Sequence, residues 1–242
     1  MGDTPFLSVV VPIYNEEESL DALVRELDAA LTSVDGGVEI ILVDDGSTDG
    51  GLVRMRAISG KDSRVRVLAL DRNHGQSTAL DAGVRAARGE VTAIVDGDLQ
   101  NDPADLPRLL ALLDHADVVN GVRVLRRDSW ARRAGSRLAN GFRNWATSES
   151  VTDVGCSLRV VRTAYLQRVP LHRGMHRFLP TLLRMEGARV VEIPVSHRPR
   201  RYGRSKYGHL DRLAAGLIDV WAVRWMQSRH EPYSVEEQSP TR

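Results

Sequence analysis

The sequence predicts an α/β fold: a doubly wound, mostly parallel sheet flanked by helices, followed by a basic, amphipathic helical region near the C-terminus. Three observations carry that expectation. Four largely apolar runs of strand length recur along the N-terminal half, the pattern of parallel strands covered on both faces. Segments with apolar residues at helical spacing separate them, as βα units require. Each run breaks at its carboxyl end into a polar cluster, and doubly wound sheets bind ligands in the crevice outside those ends.

The first run is "LSVVVPI" (Leu7 to Ile13), which breaks at "YNEEES". A helix follows, with Leu20, Leu23, Val24, Leu27 and Leu31 on one face. "VEIILV" (Val38 to Val43) is the second strand and ends in "DDGSTDGG". A short helix from Leu52 to Ile58 leads to "VRVLAL" (Val65 to Leu70) and its break "DRNHGQS". The next helix, "STALDAGVRAARG", is expected to close at Gly89 as a C-terminal glycine cap. "VTAIV" is the fourth strand, with "VDGDLQNDP" at its end. Beyond "DVVNG" the alternation weakens: residues 123–150 read as Arg-rich helix and "CSLRVV" as an edge strand. "MHRFLPTLLRMEG" reads as a helix closing at Gly187, and "ARVVEIPV" (Ala188 to Val195) as a strand. A basic loop, "SHRPRRYGRSKYG", precedes a last helix from about His209 to Arg229 and a polar tail.

The net charge of +1 conceals a strong segregation. Residues 1–122 hold 22 acidic against 10 basic side chains, and residues 123–242 hold 10 against 23. An acidic half suits a metal, and a basic half suits phosphates or an anionic membrane. The single cysteine, Cys156, excludes an intrachain disulfide and fits a reducing compartment. No run of about 20 apolar residues is present to span a bilayer.

Four polar strand ends converge on one edge of the predicted sheet: Asn15-Glu16, Asp44-Asp45, Asp71-Arg72-Asn73 and Asp96-Gly97-Asp98. On an extended segment Asp96 and Asp98 share a face about 7 Å apart, close enough to approach one divalent ion. Such hard oxygen ligands suit Mg²⁺ or Mn²⁺. The plainer alternative is a loop whose acids cap a helix, and Asp102 before Pro103 fits that role. Likewise Asp44-Asp45 either belongs to a turn capped by Ser47 or Thr48, or contacts a base, a ribose and a metal. Arg72 and Asn73 stand within reach of a nucleotide or diphosphate. Neither a P-loop nor a dinucleotide fingerprint occurs.

Seven segments, taken in order, resemble glycosyltransferase family 2: "SVVVPIYNEEESL", "VDDGSTDG", "RNHGQSTAL", "DGDLQNDP", "TDVGCSLRV", "GMHRFLP" and "HRPRRYGRSKYG". Within it, the chain is most similar to the polyprenyl-phosphate (dolichyl-phosphate mannose synthase-like) sugar transferases. The resemblance implies a GT-A-type fold, a nucleotide-diphosphate sugar donor, Mg²⁺ or Mn²⁺, and inversion at the anomeric carbon. By position it implies that Pro12, Tyr14, Glu16 and Asp44 line the nucleoside pocket, with Asp45 beside the ribose and metal. Asp96 would contact the sugar, Asp98 and Gln100 would ligate the metal, and Arg201 and Lys206 would hold the diphosphate. Arg123, Arg137 and Ser205 would contact the acceptor phosphate of an undecaprenyl- or dolichyl-type lipid. Asp153 would be a general base if the acceptor were a sugar hydroxyl. With a lipid phosphate, already anionic, it would instead orient the sugar or the acceptor. Thr152 and Val154 depart from the family's pattern around that residue.

The resulting expectation is a transferase domain over 1–208, divided into a donor and metal half (1–122) and an acceptor half (123–208). A helix over 209–229 and a tail over 230–242 follow. Cys156 is expected to pack, and His176 either to pack or to meet the acceptor phosphate. Leu210, Ala214, Leu217, Ile218, Trp221 and Trp225 form one stripe of the last helix. That stripe either packs on the domain or lies in the plane of a membrane interface with its tryptophans at headgroup depth. The chain would then act at the cytoplasmic face of the plasma membrane as a peripheral protein, alone, as a homo-oligomer, or with a separate integral partner. Nucleic acid is not an expected partner, since no recognisable module accompanies the basic half. A non-catalytic nucleotide-sugar-binding protein is the alternative from another class.

Overall fold

The computed structural model describes residues 4–123, 140–153, 155–199 and 209–231, with side chains of the last segment described from 216 onward. Its strands are β1 (Leu7–Ile13), β2 (Val38–Asp44), β3 (Val65–Ala69), β4 (Val91–Ile94), β5 (Val118–Arg123), β6 (Arg159–Arg162) and β7 (Val190–Val195). Its helices are α1 (Leu20–Leu31), α2 (Gly51–Ser59), α3 (Gln76–Ala86), α4 (Leu106–Leu110), α5 (140–147), α6 (Thr163–Leu166), α7 (Leu179–Met185) and α8 (His209–Arg229).

The strands form one sheet in the order β3-β2-β1-β4-β6-β5-β7. All neighbours run parallel except at β6, which is antiparallel to both β4 and β5. The expected α/β architecture therefore holds, with one correction. "CSLRVV" does not form an edge: β6 lies inside the sheet, and its Val160 and Val161 are fully buried. This strand of the basic half is inserted between β4 and β5, so the two halves interleave in one sheet.

Both faces are covered, as the unbroken apolar runs require. Val9, Val11 and Ile13 of β1 face a core shared with α1 and α4, whereas Val10 faces α3, α7 and α8. Gly83 of α3 lies so close to β1 that a Cβ there would sit 2.4 Å from Val10. Helix α3 stops at Ala86, three residues before Gly89. Gly89 is instead a close-contact residue, since a Cβ would meet the Ser8 backbone nitrogen at 2.7 Å. Gly187 does close α7, with φ +85°. Its N–H donates to the Arg184 carbonyl, and the Ala188 N–H donates to that of Leu183, the paired bonds of a left-handed helix end.

The strand order reverses between β1 and β4, and that switch point is where a doubly wound sheet opens a crevice.

Helix α8 packs with the face opposite to the one its larger apolar stripe suggests. Val220 and Val223 are buried, while Leu217, Ile218, Trp221 and Trp225 are 51%, 70%, 62% and 64% exposed. At these four positions the stripe does not pack on the described residues of the domain. The side chains of Leu210 and Ala214 lie outside the described residues. Gln227 ties the helix to α5 by donating to the Thr147 carbonyl at 2.8 Å, and α5 exposes Trp145 as well. Among the described residues no helix is long and apolar enough to cross a membrane.

Candidate active site

The loops leaving β1, β2 and β3 are stitched together outside the carboxyl ends of the strands. The Asn15 N–H donates to Ser47 Oγ (3.0 Å), and Asn15 Oδ1 accepts from the Thr48 N–H (2.7 Å). Asn15 has φ +51°, which asparagine tolerates better than most residues. Glu17 Oε2 accepts from the Gly50 N–H at 2.9 Å. Asp44, 1% exposed, accepts from the Ser47 N–H at 3.2 Å. Ser47 and Thr48 thus bind the β1 loop rather than capping α2, whose preceding residue Gly50 has no side chain to cap with. Gly46 has φ +68°, and a Cβ there would stand 2.2 Å from the Arg72 backbone carbon. Only glycine lets the β2 and β3 loops approach this closely.

Asp45 is the hub of the second loop. Its carboxylate accepts from the N–H groups of His74 (2.8 Å) and Gly75 (2.9 Å) and from Asn73 Nδ2 (2.9 Å). Burial raises its pKa, and those backbone donors oppose the rise. Asn73 and Arg72 are both exposed at the strand end, but the Asn73 amide is already engaged by Asp45. Pro12 and Tyr14 are half-buried beside this loop system, and Glu16 is buried at 9% exposure.

The turn after β4 carries the acids of "VDGDLQNDP". Asp96 Oδ1 accepts from Gln76 Nε2 at the start of α3 (2.9 Å). Burial pushes the Asp96 carboxyl well above its usual range, and Asp98 beside it pushes further; Ser157, Arg159 and Arg123 act in the opposite direction. Gly97 fits beneath Ile13, and Ser19 Oγ donates to its carbonyl at 2.7 Å. Asp98, 8% exposed, accepts from the Gln100 N–H at 3.1 Å across Leu99, whose φ is +58°. A left-handed leucine costs on the order of 1–3 kcal/mol, strain of the kind concentrated at functional turns. Gln100 turns its amide nitrogen to the Arg198 carbonyl (3.5 Å), and its amide oxygen makes no hydrogen bond among the described residues. Asp102 caps the following turn by accepting from the Ala104 N–H (3.1 Å). It also pairs with Arg198 at 2.6 Å, so the cap carries a cation of its own.

A third group enters from β5 and the segment before β6. Asp153, 5% exposed, is gripped by Arg123 through two parallel bonds, Nε to Oδ2 and Nη2 to Oδ1, both 2.7 Å. The N–H groups of Arg123 and Gly155 also donate to it, at 3.2 and 3.1 Å. A Cβ at Gly155 would lie 2.4 Å from Arg123 Nη2, so the guanidinium rests directly on that glycine. Cys156 is fully buried, and burial pushes its thiol up to about 11, which makes it a packing residue. His176 Nδ1 meets Ser77 Oγ at 2.7 Å. Burial, with Arg177 and Arg159 nearby, lowers its pKa to about 3, so the ring is neutral at physiological pH.

The structure thus brings Asp44, Asp45, Arg72, Asn73, Asp96, Asp98, Gln100, Arg123 and Asp153 to the carboxyl edge of the sheet, with Pro12, Tyr14 and Glu16 beside them. Arg137, Arg201, Ser205 and Lys206 lie outside the described residues. Sequence reasoning missed Gln76, Ser157, Arg159 and Arg198. Only Arg198, within the basic loop, carried a signal that could have singled it out.

Among the described residues no three His, Cys, Asp or Glu side chains cluster at metal-binding spacing. The donors on offer are the Asp98 carboxylate and the Gln100 amide oxygen. Two hard oxygens on one strained turn fit an ion such as Mg²⁺, which keeps positions for water and substrate phosphates rather than a full protein cage.

A family model described as glycosyl transferase family 2 matches residues 8–169. The chain is 42% identical over 205 residues to an undecaprenyl-phosphate 4-deoxy-4-formamido-L-arabinose transferase of Edwardsiella ictaluri, covering 84% of this chain and 63% of that protein. It is 40% identical over 223 residues to a dodecaprenyl-phosphate galacturonate synthase of Rhizobium johnstonii, covering 90% and 66%. The chain therefore spans just under two-thirds of the length of these relatives. Among solved structures, glucosyl-3-phosphoglycerate synthase from Mycobacterium tuberculosis, in complex with Mn²⁺, UDP-glucose and phosphoglyceric acid, superposes with a TM-score of 0.67. It is 22% identical and covers 94% of this chain and 81% of its own. At that identity the likeness establishes the fold, which is of the expected GT-A type.

Proposed function

The chain belongs to glycosyl transferase family 2, and from that premise we propose that it transfers a sugar from a nucleotide-diphosphate donor to a polyprenyl phosphate, inverting the anomeric carbon. The two relatives, both named for transfer to a polyprenyl phosphate, support the acceptor class. One observation in this chain carries it furthest: both oxygens of Asp153 are locked by Arg123. A carboxylate held this way is a poor proton acceptor. An acceptor hydroxyl would need a base within reach; a phosphate oxygen, already anionic, needs none.

In this reading Pro12, Tyr14, Glu16 and Asp44 line the nucleoside pocket, and Asp45 braces the ribose side of it. Asp96 faces the sugar. An oxygen of the acceptor phosphate attacks the anomeric carbon, and the bond to the donor diphosphate breaks on the opposite side, its electron pair leaving with the nucleotide. Asp98 and Gln100 are the residues that would hold Mg²⁺ or Mn²⁺, which when bound offsets the charge of the diphosphate. The glucosyl-3-phosphoglycerate synthase, of like fold, was solved with Mn²⁺ and, separately, with Mg²⁺ and UDP. Arg201 and Lys206 supply further countercharge to the diphosphate, and Arg137 and Ser205 join Arg123 at the acceptor phosphate. The carboxylates of Asp96 and Asp153 stabilise positive charge as it develops on the sugar ring.

The outer face of α8 supports a peripheral position on the membrane, at its cytoplasmic face where nucleotide sugars are found. Trp221 and Trp225 stand with Leu217 and Ile218 on that face, flanked by the exposed Arg224 and Arg229. An in-plane helix binds anionic lipid through this combination of aromatic and basic groups. Changing Trp221 and Trp225 together to Ser should weaken sedimentation with anionic vesicles about tenfold or more while leaving the melting temperature unchanged, because neither ring is buried.

The class is tested by offering a panel of radiolabelled nucleotide sugars with and without undecaprenyl phosphate and counting label in the lipid phase. Label should appear there only when both substrates and a divalent metal are present. Donor bound tightly but never consumed would favour a non-catalytic sugar-binding protein instead.

A further inference from the structure

Arg159 is the first residue of β6, opposite Ile94 of β4 and Asn120 of β5, in the middle of the sheet. It is 3% exposed. Nε donates to the Ser157 carbonyl (3.3 Å) and Nη2 to the Cys156 carbonyl (2.5 Å). Nη1 is buried and has no hydrogen-bond partner among the described residues. No carboxylate comes within ion-pair distance of it there, in contrast to Arg123, which holds Asp153 at 2.7 Å. Burying a guanidinium without an anionic partner is costly. Two of its donors are spent on main-chain carbonyls, which holds the planar group still and leaves the remaining fork available for an oxyanion.

The surroundings limit what that oxyanion is. Arg159 pairs across the sheet with Ile94, two residues before Asp96, and bonds the Cys156 carbonyl, next to the Gly155 on which the Arg123 guanidinium rests. Arg159 also acts on His176, whose ring is neutral and supplies no negative charge. The protein offers Asp96 and Asp153 as distant counter-charges, but neither makes a direct bond to Nη1.

We propose that Arg159 is an oxyanion-binding residue of the active site, receiving at Nη1 an oxygen of the acceptor's phosphate beside Arg123. This rests on the polyprenyl-phosphate reading and adds to it a buried contact. Its use follows from the reaction: the attacking phosphate must be held next to the anomeric carbon. A carboxylate on the donor sugar is the other source of the same chemistry.

The test compares the wild type with Arg159→Met, which removes the buried charge at similar length and should keep the fold, and Arg159→Lys, which keeps the charge but loses the fork. Melting temperatures report folding. Inorganic phosphate binding, followed by ³¹P line broadening without donor, should weaken at least tenfold in Arg159→Met and partly recover in Arg159→Lys. With undecaprenyl phosphate as acceptor, its KM should rise at least tenfold while the KM of the donor stays within twofold. Unchanged phosphate binding and lipid KM in a folded Arg159→Met protein would overturn the proposal. A loss confined to a UDP-hexuronate donor would overturn the acceptor assignment and place a donor carboxylate at Nη1. If Arg159→Met does not fold, the same titrations on Arg159→Lys decide, since a lysine that leaves both unchanged contradicts an oxyanion contact made by the guanidinium at Nη1. Should the wild type fail to glycosylate the lipid at all, the functional reading falls, and the phosphate titration still judges Arg159.

Discussion

Glu39 and Asp96 are two acids at opposite ends of the same sheet, and their surroundings differ in kind. Glu39, near the start of β2, accepts from Ser8 Oγ (2.7 Å), the Arg88 N–H (2.8 Å), Arg66 Nη1 (2.7 Å) and Arg88 Nη2 (2.9 Å). Burial alone would raise its pKa; these donors overcome it and hold the carboxyl at about 2. Asp96, past the end of β4, has a neutral amide from Gln76 and the Ser157 hydroxyl, with Asp98 adding repulsion, and its pKa goes up. A carboxylate surrounded by cations and donors inside the protein is finished when the chain folds. One that stands beside another acid, with no cation bonded to it among the described residues, is finished only when something binds.

That contrast is broken most severely at Asp98. Asp98→Ala should reduce sugar transfer about 10³-fold or more, with circular dichroism and melting temperature unchanged. Full activity in that variant would remove the metal assignment. Next comes Asp153→Asn, which leaves Arg123 buried with half its partner. Loss of one member of a buried pair costs about 3–5 kcal/mol, seen as a lowered melting temperature. Transfer to the lipid should fall equally at all pH values; a loss confined to one limb of the pH profile would mark Asp153 as a base after all. The smallest effect on activity belongs to the satisfied acid. Glu39→Gln should leave turnover within about twofold of wild type while lowering the melting temperature by about 5 °C or more at pH 7. Because the folded pKa of Glu39 lies below its unfolded value of about 4.3, its stabilisation is present above that pH and is lost as pH falls toward 2. The gap between wild type and Glu39→Gln in melting temperature should therefore close over that interval.

The first four strands were legible because runs such as Leu7 to Ile13 and Val38 to Val43 are apolar on both faces, a pattern with few other structural solutions. The strand-end acids were legible for the same reason: where such a run stops, the chain leaves the core at a predictable edge. The place of β6 was not, because pairing order is a tertiary choice that a short run like "CSLRVV" does not encode. Helix α8 shows a different gap. It has two apolar faces, and periodicity identifies the larger stripe without saying whether protein or membrane covers it; Val220 and Val223 took the core. Arg159 went unnoticed because an arginine within an apolar strand reads locally as an edge residue. Its meaning came only once the sheet closed around it.

The central claim is that the acids at the carboxyl edge await a cation and a diphosphate, whereas Glu39 awaits nothing. Calorimetric titration of Mn²⁺ in the presence of a nucleotide diphosphate tests it most directly. Wild type and Glu39→Gln should each bind one metal ion per chain with the same affinity, and Asp98→Ala should bind none. Wild-type metal binding by Asp98→Ala, or its loss in a folded Glu39→Gln protein, would contradict the account.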